Sequence, residues 1–309
     1  MSLQNKTFFI TGGTGFIGKA LIKTLLSKDA KIYCYGRSKS KIEYTFGKTV
    51  ISMTEFPMKD FEDKIDYVIH AACPTESSNM ANKPVEVIDA IYTLTKESLE
   101  LAKRNNARYI FLSSMEVYDN LEGYIDENSL GIFDLSKSRT SYPIGKQLAE
   151  NLVNSYHNEY AVNTCIIRLS QIFGPGVQFN DNRFFIFALR KCLQNDNIVL
   201  NTSGEKWHNS CYVEDAVNLI LELLKSNTNE TYNITNEDYC MSINELCEKI
   251  IKITKSSNKL THDIKEKTDF RPDSKYKISG AKIQKMFPSY KMETFENAIR
   301  KTFDYLRNL

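Results

Sequence analysis

Three glycines set three residues apart, Gly12, Gly15 and Gly18, follow an apolar run, Phe8-Phe9-Ile10, and open a helix-like stretch from Lys19 to Ser27. A strand that turns through glycine into a helix presents backbone N–H groups at the helix start, where they can meet an anion. Gly12 permits the tight turn, Gly15 lets backbone approach a phosphate with no Cβ in the way, and Gly18 lets the helix lie close to the sheet. The spacing predicts that Gly12, Thr14, Gly15, Phe16, Ile17 and Gly18 cradle the pyrophosphate of a dinucleotide.

The pattern after this turn predicts a parallel, doubly wound α/β sheet. Strand-like segments at Lys31 to Tyr35, Thr49 to Met53, Tyr67 to Ala71, Tyr109 to Leu112 and Thr164 to Leu169 alternate with helix-like runs from Pro84 to Lys103 and Tyr142 to Tyr160. That alternation covers both faces of a sheet. Residues Asp119 to Thr140 read as a polar, acidic loop. The expected organisation is a dinucleotide-binding domain over residues 1–170. A smaller α/β substrate-binding region over 171–309 packs tightly on it, with the cleft at the carboxyl ends of the strands.

Charge and cysteine usage exclude several classes. The 309 residues carry 40 basic and 38 acidic side chains, a formal net charge of +2, which argues against a nucleic-acid or membrane-surface partner. No apolar run approaches the roughly twenty residues of a membrane span. The first strand starts too early to leave room for a signal peptide. Seven scattered cysteines form no C-x-x-C pair, and no histidine stands at zinc-ligand spacing. The expectation is a reduced, cytoplasmic setting and no metal.

The second strand ends Tyr35-Gly36-Arg37-Ser38, without the carboxylate that holds the ribose 2′-hydroxyl of NAD. A guanidinium suits a 2′-phosphate, so Arg37 favours NADP over NAD. Further on, Tyr142 and Lys146 stand four apart at the start of a helix, on one face. An ammonium beside a phenol favours the phenolate and is expected to draw its pKa down from about 10, making Tyr142 a general base. Ser114 ends the preceding strand, where its hydroxyl can hold the reacting oxygen.

With these motifs the chain closely resembles the extended short-chain dehydrogenase/reductase family, in particular its nucleotide-sugar epimerases, dehydratases and decarboxylases. The resemblance runs through Thr11 to Gly18, Asp66 to Ala72, Leu112 to Tyr118, Tyr142 with Lys146, Arg168 to Gly176, Tyr212 to Ala216 and Arg271-Pro272-Asp273. It implies a Rossmann fold with Ser114, Tyr142 and Lys146 as catalytic triad, and Lys146 also touching the nicotinamide ribose. Ala71 and Ala72 would line the cofactor, and Thr75, Gln171 and Arg271 would face the nucleotide sugar. The long helices would form the face of a homodimer. Family members share a first step, oxidation of the sugar to a 4-keto intermediate.

Met115-Glu116 stands where thymidine-diphosphate-glucose dehydratases carry Asp-Glu, and methionine cannot protonate a leaving hydroxyl. Glu116 resembles the glutamate of UDP-glucuronate decarboxylases and GDP-mannose dehydratases, which makes it a further catalytic candidate. His208 replaces the family's diphosphate-binding arginine, a weaker and pH-dependent partner, and Gln171 replaces an asparagine. Arg183, Arg190 or Lys191 could supply the missing charge. The leading expectation is a redox-neutral epimerase. The alternatives are a UDP-glucuronate-type decarboxylase or glutamate-based 4,6-dehydratase, an NADPH-dependent keto-sugar reductase, and, outside enzymes, a nucleotide-sensing regulator. His70 reads as a hydrogen-bonded structural histidine.

Overall fold

Phe8, Phe9 and Ile10 have no exposed surface, so the first strand, β1 (Thr7–Thr11), lies in the middle of a sheet with both faces covered. The computed structural model describes residues 2–56, 63–264 and 275–309. The chain continues through α1 (Phe16–Leu26), β2 (Lys31–Tyr35), α2 (Lys39–Phe46), β3 (Ile51–Met53) and β4 (Tyr67–His70). Next come α3 (Ser77–Asn82), α4 (Pro84–Asn105), β5 (Arg108–Ser114), β6 (Gly123–Ile125), α5 (Ser141–Tyr160) and β7 (Thr164–Leu169). Then follow β8 (Gln171–Phe173), α6 (Phe184–Leu193), β9 (Ile198–Leu200), β10 (Trp207–His208), β11 (Ser210–Tyr212) and α7 (Val213–Lys225). The chain closes with β12 (Thr231–Ile234), β13 (Met241–Ser242), α8 (Ile243–Thr254), β14 (Leu260–His262), β15 (Tyr276–Ile278), α9 (Ala281–Met286) and α10 (Phe295–Arg307).

Two units divide the described chain. The first holds Met1–Asp119, Leu130–Leu169 and Val217–Tyr232; the second holds Asn120–Ser129, Ser170–Ala216 and Asn233–Leu309. They interleave, where the sequence suggests a single cut at residue 170. In the first, seven strands run in the order β12-β7-β5-β4-β1-β2-β3, and β1 to β5 and β7 pair in parallel. This is the doubly wound sheet that the strand–helix alternation predicts. The order doubles back at β1, between β2 and β4, which brings their carboxyl ends together.

The helices α4 and α5 pack on one side of this sheet. Pro84 suits the first turn of α4, and Asn106, left-handed at φ 51°, ends it. Val87, Ile91 and Leu99 face Ala149, Val153 and Tyr156 in one buried cluster. Gly145 decides how close the two come, since a Cβ there would stand 2.8 Å from Ile91 Cδ1.

The second unit is built from strand pairs. β6 pairs with β15, β8 with β11 and β9 with β14, all parallel, while β10 and β13 run antiparallel. Phe185, Leu189, Leu246, Ile250, Ile299 and Phe303 bury one side of α6, α8 and α10. Ser242 and Glu245 start α8 with a reciprocal capping box.

Candidate active site

The glycine turn is set by backbone crowding. Gly12 has φ +73°, and a Cβ there would lie 2.7 Å from the Ala71 carbonyl carbon and the Ala72 nitrogen. At Gly18 a Cβ would strike Gly12 O and Gly13 Cα, so only glycine brings α1 this close to the turn. Gly13, which the sequence reading passes over, is equally confined, with Cys34 Sγ and Ile22 Cδ1 each 2.5 Å from its notional Cβ. No side chain caps α1 at Gly15, the arrangement that suits a bound anion. These residues fit a dinucleotide pyrophosphate.

Thr11 and His70 brace the opposite side of the turn. Thr11 Oγ1 bonds His70 Nδ1 at 2.7 Å and accepts from Ala72 N at 3.1 Å, while His70 Nε2 meets Thr95 Oγ1 at 3.2 Å. Burial, with a smaller push from the Lys146 charge, lowers the His70 pKa to about 3. The ring is neutral and fully hydrogen-bonded, as the sequence suggests. Arg37 lies exposed just past β2, with no hydrogen-bonding partner among the described residues. Ser38 caps α2, its Oγ accepting from Lys41 N at 3.2 Å. Thr75 is exposed on the loop after β4.

Ser114, Tyr142 and Lys146 come together at the carboxyl end of β5. The buried phenol of Tyr142 shares a hydrogen bond with Ser114. Lys146, 3% exposed, donates to Leu112 O at 2.8 Å, sits 4.6 Å from the Phe111 ring centre and hydrogen-bonds the Cys73 thiol. The expectation that Lys146 draws the Tyr142 pKa down is not met, because the phenol's pKa is pushed well above its ordinary value. Burial dominates, the Cys73 and Glu116 charges add to it, and Ser114 and Arg139 oppose it.

Two acid–arginine pairs stand beside this group, and the sequence reading noticed neither. Glu116 follows Ser114, and its N–H donates to Ser114 Oγ at 3.2 Å. Its carboxylate accepts from Arg139 Nη2 with both oxygens, at 3.0 and 2.8 Å. Arg139 Nη1 is buried with no hydrogen-bond partner among the described residues. Deeper, Arg168 on β7 clasps Glu150 through Nε and Nη2 at 3.0 and 2.7 Å, and donates to Tyr118 OH at 2.8 Å. Ser113 Oγ donates to Glu150 at 2.5 Å. Because Ser113 neighbours Ser114 and Glu150 lies one turn beyond Lys146, this network fixes the floor under the triad. The four-residue step from Lys146 to Glu150 and the three-residue step from Arg139 to Tyr142 were the available signals.

In the second unit Gln171 and His208 meet, with His208 Nε2 and Gln171 Oε1 2.8 Å apart. Burial lowers the His208 pKa to about 4, and Lys206 adds to the effect. The pH-dependent phosphate cation expected there is therefore a neutral ring near pH 7. The charges expected to compensate are engaged. Arg183 pairs with Asp181 at 2.8 Å and donates to Ile172 O, Arg190 donates to Phe179 O, and Lys191 pairs with Asp196. Arg271 lies outside the described residues. The described residues contain no cluster that could hold a metal ion and no helix long and apolar enough to cross a membrane.

Comparisons with known proteins agree with this geometry. Residues 8–235 match the model of the NAD dependent epimerase/dehydratase family. UDP-glucuronic acid decarboxylase 3 of Arabidopsis thaliana is 28% identical over 240 residues, 75% of this chain and 70% of that protein. The UDP-glucose 4-epimerase of Thermotoga maritima, solved with UDP-glucose, superposes with a TM-score of 0.83 at 18% identity, over 98% of this chain and 99% of that one. A UDP-glucuronic acid 4-epimerase from Bacillus cereus, solved with UDP-glucuronic acid and NAD, gives 0.80 at 18% identity, over 98% and 99%. With its glycine turn, its seven-stranded sheet and a match spanning most of its length, the chain belongs to the NAD-dependent epimerase/dehydratase family of enzymes.

Proposed function

We propose that the protein oxidises C4 of a UDP-linked sugar and returns the hydride to the same carbon, so that the outcome is epimerisation. The observation that carries this reading is the buried Tyr142 phenol bonded to Ser114, with Lys146 one helical turn on and hydrogen-bonded to Cys73, on the loop whose Ala71 and Ala72 backbone lies against Gly12. Ser114 holds the C4 hydroxyl against the phenol, and Tyr142 takes its proton as the C4–H bond breaks. The residues of the α1 turn would hold a nicotinamide dinucleotide, which in its oxidised form would supply a reversible hydride acceptor for C4. Lys146, held by Leu112 O, would meet the cofactor ribose.

Glu116 bears on the alternatives. With both oxygens bound by Arg139, it is not a free acid or base, which weighs against a glutamate-driven loss of water. A second reading, decarboxylation of UDP-glucuronic acid, is favoured by the sequence relatives, which are decarboxylases by name. Arg37, exposed past β2, supports NADP as the cofactor. Val85, Ile88 and Tyr92 on α4 and Leu148 on α5 expose apolar surface at helical spacing, which supports a homodimer through these helices.

The test incubates the protein with UDP-glucose, UDP-N-acetylglucosamine and UDP-glucuronic acid and follows the products by NMR. Inversion at C4 with an intact carbon skeleton is the expected result. Release of carbon dioxide from UDP-glucuronic acid would favour the second reading, and an unchanged panel would overturn both.

A further inference from the structure

Arg139 is the one arginine that reaches the triad from the turn just before α5, three residues ahead of Tyr142, and its hydrogen bonds run to Glu116 rather than to backbone. Glu116 in turn lies two residues past Ser114 and donates its N–H to that hydroxyl. The pair therefore joins the segment that carries Ser114 to the segment that carries Tyr142. Arg139 Nη1 is buried beside this pair with no hydrogen-bond partner among the described residues. Both side chains are partly buried, at 30% and 27% exposed, so solvent screens their charges only in part.

We propose that Arg139 is a positioning residue for the C4 chemistry: through Glu116 it sets the distance between Ser114 and Tyr142 and balances the charge around the phenol. This rests on the reading of Tyr142 as the base. The charged and titratable groups facing Tyr142 are Cys73 on the loop after β4, Glu116 after β5, Arg139 before α5 and Lys146 on α5 itself. Burial raises the Cys73 thiol pKa. Glu116 favours the protonated phenol and Arg139 the phenolate. Held together they oppose one another at the phenol, so that losing either one shifts the balance between taking the proton and giving it back.

The test measures turnover of UDP-glucuronic acid by the cofactor-loaded protein across pH, with cofactor affinity and melting temperature for each variant. Arg139→Met is expected to turn over about 10²-fold more slowly, the cost of a small misplacement. Its rate should rise only at higher pH, because a cation beside the phenol is gone. Glu116→Gln moves that rise to lower pH, and the double variant lies between the two. Arg139→Lys restores the charge without the two-oxygen grip, so it keeps the wild-type pH profile but stays slow. Cofactor affinity is unchanged throughout. Arg139→Met with the wild-type rate and profile, or slowed with no shift in pH, would overturn the proposal.

Should the wild-type protein leave UDP-glucose, UDP-N-acetylglucosamine and UDP-glucuronic acid all untouched, the functional reading fails separately. The proposal is then read without substrate, from ultraviolet difference titrations of phenolate against the matching Tyr142→Phe protein. Arg139→Met and Glu116→Gln should move that midpoint in opposite directions. Equal midpoints would overturn the proposal.

Discussion

Tyr142 is 6% exposed, so replacing it with phenylalanine removes one oxygen and leaves its packing in place. Tyr142→Phe should therefore lower turnover by about 10²- to 10⁴-fold, the usual worth of a positioned general base. Melting temperature and cofactor affinity, measured alongside, should stay near wild type. Arg37 tests the cofactor at the same scale. If it grips a 2′-phosphate, Arg37→Ala loses about tenfold in NADP affinity, near 1.4 kcal/mol, and almost nothing in NAD affinity. Equal losses for the two nucleotides, read by calorimetric titration, would remove the case for NADP. Residues such as Gly12, Gly18 and Tyr142 were legible from sequence because backbone crowding and helical spacing are local properties. Arg139 was not, since its meaning lies in Glu116, which reaches it only through the fold. The pKa of Tyr142 departs from the expectation for a related reason: spacing shows that a lysine is one turn away, but not that the phenol is buried, which dominates its pKa, nor that the ammonium is turned to Leu112 O.

At the scale of elements, β5, β7 and α5 are locked together by Glu150 and Arg168, whose side chains are 8% and 10% exposed. Glu150→Gln leaves the Arg168 guanidinium buried beside a neutral amide. Breaking such a pair from one side should cost about 3–5 kcal/mol in chemical denaturation. Turnover should fall with it, because Ser113 loses its carboxylate partner next to Ser114. A loss well under 1 kcal/mol would mean that the network is solvated and does not hold the triad's floor. Sequence reading placed α4, α5 and β7 closely, since long apolar periodicity and short buried strands are strong signals. It read Asp119 to Thr140 as loop and missed β6, whose partner β15 lies about 150 residues on, beyond the reach of any local pattern.

For the whole molecule, His70 and His208 tie stability to pH. Both are buried neutral, with pKa values lowered from 6.5 to about 3 and about 4. Below pH 6.5 the unfolded chain binds protons that the folded chain refuses, so stability is full above that pH and falls as pH drops toward 4. The slope should reach about 1.4 kcal/mol per pH unit for each histidine. Denaturation series between pH 7 and 5 check this, and His208→Gln should flatten the slope. A slope unchanged by that substitution would assign the acid sensitivity elsewhere. The account as a whole stands on one claim, that hydride leaves C4 and returns to it inside a single visit. Its most direct measurement supplies UDP-glucuronic acid with deuterium at C4 to the cofactor-loaded protein, adds no free nicotinamide, and locates the label in the product by NMR. Deuterium retained at C4 through many turnovers is the predicted result. Deuterium lost to water, or found anywhere in the product other than C4, would contradict it.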